Sequence, residues 1–107
     1  MDNDDIRDLF SALGPIAIKR LFGGKGIYHD GLIVAIEYRD EILLKADEIS
    51  APFFEEAGCD QWTYTGKNRS KPVAMPYWSI PGDALDDPDI MAEWARRAYE
   101  AALRSRK

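Results

Sequence analysis

Cysteine and histidine are nearly absent from this 107-residue sequence, which contains one of each, Cys59 and His29. A single cysteine cannot form an internal disulfide, so a disulfide-stapled secreted fold is excluded and a reducing compartment is favoured. Zinc sites need several such ligands at compatible spacing, so we predict no metal site and no cofactor. His29 is expected to be exposed beside a turn. Cys59 is expected to be a small, partly buried residue, with a redox-sensitive thiol as the alternative.

Long apolar runs and an excess of basic residues are also missing. The longest apolar stretch, 32–36, is far too short to span a bilayer, and the acidic N-terminus lacks the basic start of a secretory signal. Lys and Arg number 14 against 19 Asp and Glu, which gives a net charge of −5. Proteins that hold nucleic acid through its phosphates usually present a basic face. We therefore predict one cytoplasmic domain over 1–107, with no membrane contact and with direct nucleic-acid binding disfavoured.

Three segments carry the signals of helices. The segment 4–13 repeats apolar residues at helical spacing and is followed by a glycine and a proline that stop it. A second helix is predicted over 47–57. The third begins with Asp87 as N-cap and Pro88 at the first helical position. Its predicted buried stripe consists of Met91, Trp94, Ala95, Ala98 and Ala102.

Short runs rich in β-branched and aromatic residues predict the strands. They are 16–22, 26–29, 32–38, 41–46, 61–65 and 72–80. Asp30-Gly31 is typical of a two-residue type I′ hairpin, and such short connections make neighbouring strands antiparallel. Pro76 inside the last run indicates an edge position or a bulge. The order of helix, three or four strands, helix, two strands and helix predicts an α+β two-layer domain whose helices cover one face of an antiparallel sheet.

Three glycines in four positions distinguish the run Gly23-Gly24-Lys25-Gly26. A phosphate-binding loop with this composition would lead into a helix whose N-terminus holds the phosphate. Here Ile27 and Tyr28 follow, and then another turn, so no helix opens. The run is therefore interpreted as a turn between strands with a close backbone approach or a bulge.

No combination of side chains in the sequence has the spacing of a known catalytic site. The serines lack the glycine elbow of a hydrolase nucleophile, and the paired carboxylates fall where helix termini or surface faces account for them. We predict no catalytic residues and a protein that is not an enzyme. A small enzyme whose site assembles from distant positions is retained as a second alternative.

Aromatic residues on the predicted strands give the strongest indication of a binding surface. With helices on one face, some of these rings must point to the other face, and Tyr and Trp are enriched in protein interfaces. The candidate interaction patch joins the strand residues Tyr77 and Trp78 to a basic loop carrying Lys67, Arg69 and Lys71. Aromatic rings beside a basic loop could instead stack on single-stranded nucleic acid, which makes a nucleic-acid accessory protein the first alternative.

An ordered series of short stretches covers nearly the whole chain. The stretches are 19–28, 30–31, 43–47, 62–64, 75–78, 87–88 and 94–98. In these the sequence resembles the TfoX/Sxy N-terminal domain family, which comprises bacterial competence regulators and related small proteins. The resemblance implies an αβββαββα two-layer sandwich related in shape to secretion chaperones.

The resemblance also implies a regulatory role without catalytic residues. The expected function is that of a non-enzymatic regulator or adaptor that acts through protein–protein contact. The expected partner is a second copy of the chain in a homodimer, or a transcription factor of the cyclic-AMP receptor type. Full-length competence regulators carry a second, C-terminal domain, whereas the expectation for this sequence is a stand-alone domain over residues 1–107.

Overall fold

A computed structural model describes residues 2–21, 23–65 and 71–106 of the chain. The elements in these ranges are α1 (Asn3–Leu9), a 3₁₀ turn (Ser11–Leu13), β1 (Ala17–Leu21), β2 (Gly24–His29), β3 (Leu32–Tyr38), β4 (Glu41–Lys45), α2 (Ala51–Glu56), β5 (Gln61–Tyr64), β6 (Val73–Ser79), α3 (Gly82–Asp86) and α4 (Pro88–Ser105). The strands form one sheet in the order β1-β2-β3-β4-β6-β5, with every pair antiparallel. The predicted α+β two-layer sandwich is confirmed. No helix in the described ranges has the length and apolar character that a membrane crossing requires.

Two tight hairpins set the register of β2, β3 and β4. Asp30 and Gly31 both have positive φ, at 52° and 78°, which confirms the predicted type I′ turn between β2 and β3. Arg39 and Asp40, at 53° and 64°, also have positive φ although neither is a glycine. This second turn follows from the pairing of β3 with β4, because the type I′ conformation matches the twist of the two strands that it joins.

Pro76 lies in the sheet interior, because β6 pairs with β4 on one side and with β5 on the other. The predicted edge position is therefore wrong, whereas the predicted bulge is confirmed. Gln61 pairs with Trp78 and Thr63 pairs with Ala74, so β6 holds more residues than β5 between these pairs and bulges around Pro76. The carbonyl of Pro76 accepts a hydrogen bond from the amide of Ala46 at 2.9 Å. Proline has no N–H to donate, and the bulge lies where that donor is missing.

The helices differ from the sequence predictions mainly at their starts and ends. The predicted helix over 4–13 is divided into α1 and the 3₁₀ turn, and the short helix α3 was not predicted. The helix expected over 47–57 begins only at Ala51. Before it, the carboxylate of Asp47 accepts from the amides of Ile49 and Ser50, which closes a turn instead of a helix. The last helix has the predicted start, with Asp87 accepting from the amides of Asp89 and Ile90.

The main core lies between the sheet and the helices. The side chains of Phe10, Ile27, Leu44 and Phe54 are fully buried there. Helix α4 contributes Met91 and four alanines, Ala95, Ala98, Ala101 and Ala102. Small alanine side chains allow the helix to lie close to the strands beneath it. The predicted stripe is thus confirmed except that Trp94 is only half-buried, at the margin of this core.

His29 is held under α4, so the prediction of an exposed turn histidine is wrong. Its side chain is only 12% exposed. Its Nδ1 lies 2.8 Å from the carbonyl oxygen of Pro15, and its ring lies 4.9 Å from the ring of Tyr99. Because a carbonyl can only accept, Nδ1 carries the proton in this contact. The Tyr99 hydroxyl also donates a hydrogen bond to Asp30 at 2.9 Å. Helix α4 therefore packs against the turn between β2 and β3, beside which His29 was predicted to be exposed.

An ion pair joins the end of α4 to the turn before α2. The guanidinium of Arg104 donates two hydrogen bonds to Asp47, from Nε at 2.6 Å and from an Nη nitrogen at 3.0 Å. The hydrogen bond from Arg104 holds the pKa of Asp47 well below its usual range. A bidentate pair of this kind adds geometric specificity as well as stability, because two parallel hydrogen bonds restrict the orientation of both side chains.

We expect this pair to contribute about 1 kcal/mol, the upper part of the range for partly exposed pairs. The test is a double-mutant cycle with Asp47→Asn and Arg104→Gln, measured by urea unfolding. A lowered folded pKa gives stability that is present above the unfolded value of about 4 and is lost as the pH falls through the folded value. The coupling should therefore be full at pH 7 and shrink in strong acid. Coupling near zero at pH 7, or coupling that grows on acidification, would contradict this prediction.

Candidate interaction surface

The face of the sheet opposite the helices carries a second apolar cluster. Its members are Leu21, Ile33, Ile36, Leu43, Trp62, Met75 and Tyr77, which together are termed the sheet-face cluster. Every member lies on a strand, whereas the main core combines strand residues with residues of all four helices. The strand register explains the grouping, because Ile36 pairs directly with Leu43 and side chains at paired positions share a face.

Aromatic rings form a continuous layer on this face. The ring centroid of Tyr38 lies 5.4 Å from that of Trp62 and 6.4 Å from that of Tyr64. Trp62 also lies 6.4 Å from Tyr77. Tyr38 is on β3 and Trp62 is on β5, with β4 and β6 between them. Neighbouring strands are about 4.8 Å apart, so these long side chains lean toward one another across β4 and β6 to bring their rings into contact. The result is a layer of aromatic rings that spans four strands.

Two lysines lie over rings of the same face. The Nζ of Lys19 is 5.3 Å from the ring centroid of Tyr28, and the Nζ of Lys45 is 5.4 Å from that of Tyr77. At these distances the ammonium groups are attracted to the ring faces. Burial raises the pKa of the Tyr77 phenol, so this group stays neutral at physiological pH. The face therefore combines neutral aromatic rings with positive charge.

The glycine run shapes one side of this surface and does not form a phosphate loop. No helix follows it, as predicted, but Gly24, Lys25 and Gly26 already belong to β2, so only Gly23 lies in the predicted turn. A Cβ on Gly24 would lie 2.1 Å from the backbone oxygen of Glu37, which confirms the predicted close backbone approach. A Cβ on Gly26 would lie 2.8 Å from the Tyr28 ring. The missing side chain at Gly26 thus leaves the space in which the Tyr28 ring lies.

The five residues of the predicted interaction patch do not share one surface. Tyr77 belongs to the sheet-face cluster, but Trp78 lies on the helix side, where its ring stacks 6.0 Å from that of Phe54. The predicted grouping of Tyr77 with Trp78 is therefore wrong, because adjacent residues of a strand point to opposite faces. Lys71 is exposed just before β6. Lys67 and Arg69 lie outside the described residues.

The sequence prediction missed most of the sheet-face cluster. The signal was present as alternation, because Ile36 and Tyr38 fall on one side of β3 and Met75 and Tyr77 on one side of β6. What the sequence lacks is the strand order, which brings β3 and β6 to either side of β4. A hydrophobic pattern on single strands identifies two apolar faces without indicating which of them a helix covers.

The described residues show no arrangement suited to a metal. Across 2–21, 23–65 and 71–106, no group of three or more His, Cys, Asp or Glu side chains is placed to hold an ion. Cys59 is half-buried, as predicted, and burial raises the pKa of its thiol. A raised pKa keeps the thiol protonated at neutral pH and therefore a poor nucleophile.

Comparison with known proteins gives one family assignment. No significant match was found among curated proteins. The family model of the TfoX N-terminal domain matches residues 8–102, which covers every strand, α2, α3 and α4 up to residue 102, but only the last two residues of α1. The family suggested by the residue stretches is thus confirmed. The chain belongs to the TfoX N-terminal domain family, a family of competence-regulator-like domains.

Proposed function

We propose that this domain is a non-enzymatic regulatory adaptor that binds a protein partner through the sheet-face cluster. The observation that supports the proposal is an apolar, aromatic cluster built from strands alone, on the sheet face opposite the helices of the described residues. Ile36, Leu43 and Tyr77 are buried at its centre, and the rings of Tyr38, Trp62 and Tyr64 around them are half-buried, so a partner would pack on this outer layer of rings. Aromatic residues are also the side chains most enriched where proteins meet.

Two occupants fit this surface, and both are proposed. The first is a second copy of the chain, since a layer of neutral rings can pack on the same layer of another copy about a two-fold axis. The second is a transcription factor of the cyclic-AMP receptor type, which the resemblance to competence regulators suggests. In either case the contact would use ring packing and apolar burial rather than a reaction centre.

A pair of matched variants tests the proposal. Val73 is on β6, pairs with Tyr64 of the aromatic layer and is 38% exposed; Leu103 is on α4 and is 37% exposed. We expect Val73→Glu to weaken self-association, or binding to purified cyclic-AMP receptor protein, by at least about tenfold, because a charge must be desolvated in the contact. Leu103→Glu should change neither. Light scattering after size exclusion and calorimetric titration are the measurements.

The outcomes separate the two occupants. A wild-type dimer that dissociates in Val73→Glu supports the second copy, and a monomer that binds the receptor protein supports the transcription factor. A wild-type monomer without affinity for the receptor protein would remove the proposal. Equal effects of Val73→Glu and Leu103→Glu on binding would show that the contact does not use the sheet face specifically.

Nucleic acid is the alternative occupant that one observation favours. Lys19 and Lys45 lie over rings of the sheet face, and lysines beside aromatic platforms are typical of single-strand binding. The overall charge of −5 opposes it. Salt-sensitive retention of a fluorescent single-stranded oligonucleotide that is lost in a Lys19→Ala, Lys45→Ala variant would support this alternative over the protein contact.

A further inference from the structure

A groove on the helix side lies away from the sheet face, between the first helical segment and α3 and α4. Its volume is about 230 Å³. Its apolar lining includes Leu9 and Ala12 from the first segment and Leu85 and Met91 from α3 and α4. Leu85 is 54% exposed although it is a large apolar residue. The groove is smaller than typical small-molecule sites of roughly 300–1,000 Å³, and its size suits one or two inserted side chains.

The rim of the groove is acidic. Asp5 and Asp8 belong to its lining, and no Lys or Arg does. Neither carboxylate forms an ion pair within the part of the chain that the structure describes. The apolar floor is thus bordered by negative charge on the side of α1.

Helix stability explains only part of this charge. Asp5 is in the first turn of α1, where a carboxylate is favoured by the helix dipole. Asp8 is near the C-terminal end of α1, where negative charge opposes the dipole, and Arg7 of the same turn lies 3.6 Å from Asp4 instead. A cationic partner would compensate the carboxylate of Asp8.

We infer that this groove binds a basic amphipathic helix of a protein partner. An apolar side chain of that helix enters between Leu9 and Leu85, and its Lys or Arg residues lie over the aspartates of the rim. Helices commonly bind in apolar grooves in this way, with one face as anchor. The acidic rim disfavours nucleic acid and anionic lipid surfaces, both of which are negatively charged. This surface is separate from the sheet-face cluster, so the inference does not depend on the proposed function.

The experiment uses two synthetic helical peptides of about 18 residues, long enough to form helix on binding. Both have leucine at i, i+3, i+4 and i+7; one carries lysine at the remaining positions and the other carries glutamate. Amide shifts of the ¹⁵N-labelled domain locate the binding site. We expect the lysine peptide to shift the amides of Ala84, Leu85, Met91 and Ala92 selectively, and the glutamate peptide to cause no shifts.

Charge-matched variants separate the groove from the overall negative charge of the protein. Asp5→Asn with Asp8→Asn removes two rim charges, and Glu55→Gln with Glu56→Gln removes two exposed charges of α2 that do not line the groove. The first pair should weaken binding of the lysine peptide at least about fivefold, and the second less than about twofold. Ala12→Phe, an exposed position that fills the groove, should also abolish the shifts.

Thermal melts establish that each variant is folded. Equal weakening by the two charge pairs, equal binding of the two peptides, or shifts spread over the sheet face would overturn the inference. Continued binding by a folded Ala12→Phe variant would overturn it as well. None of these results bears on dimer formation or on the cyclic-AMP receptor protein.

Discussion

Replacing Gly24 with alanine is expected to destabilise the domain by about 3 kcal/mol or more. The added Cβ would lie 2.1 Å from the backbone oxygen of Glu37 and 3.2 Å from its carbonyl carbon. These backbone atoms cannot move away by a rotamer change, as the end of a flexible side chain can. Relief therefore requires β2 and β3 to separate where Lys25 pairs with Glu37. Such a loss is a large part of the roughly 5–15 kcal/mol that stabilises a typical domain.

Gly82 provides the matched control. It has no atom within 4 Å of an added Cβ, its φ is not positive, and it begins α3. Gly82→Ala should be neutral or stabilise by up to about 1 kcal/mol, because alanine is the better helix former. Urea unfolding of both variants is the measurement. Similar stabilities for the two would show that β2 and β3 have room to separate at Gly24.

Truncation of Phe54 to alanine is expected to cost about 3–5 kcal/mol, as for other fully buried phenylalanines. Phe54 is the buried residue of α2 and is 0% exposed. Its ring lies 6.0 Å from that of Trp78 on β6 and 4.8 Å from that of Trp94 on α4. The substitution would leave a cavity between α2, α4 and the sheet. Tryptophan fluorescence during unfolding reports the loss directly.

Phe53→Ala is the matched control, because it removes the same side chain from the same helix at an exposed position. Its side chain is 48% exposed and lies against the guanidinium of Arg97, at 4.3 Å from the ring centroid. Phe53→Ala should cost about 1 kcal/mol or less, the scale of an exposed cation–π contact. A cost for Phe54→Ala no larger than that of its neighbour would mean that the core closes around the missing ring.

Local patterns predicted those features in which a few neighbouring residues decide the conformation. The turn at Asp30-Gly31 is one, because an Asp-Gly pair between strands favours the type I′ turn, which has positive φ at both positions. The start of α4 is another, since Asp87 and Pro88 satisfy its first amides without any tertiary contact. The bulge at Pro76 was also predictable, because a proline lacks the donor that a regular ladder needs.

Predictions failed where a distant element sets the environment of a residue. His29 has the local sequence of an exposed turn, and only the packing of Tyr99 from α4 buries it. Pro76 was expected at an edge, but β5 returns to pair beside it. Trp78 was assigned to a surface together with Tyr77, and the sheet separates the two by alternation.

The sequence alone determined the family, the order of the strands along the chain, the start of the last helix, the antiparallel hairpins and the close backbone approach at the glycine run. These depend on local backbone preference, on capping and on hydrophobic period, all of which act over a few residues. Only the tertiary structure decided which sheet face the helices cover, which rings meet across intervening strands and where the acidic groove opens. Those properties depend on contacts between residues distant in sequence, and both binding surfaces proposed for this domain are of that kind.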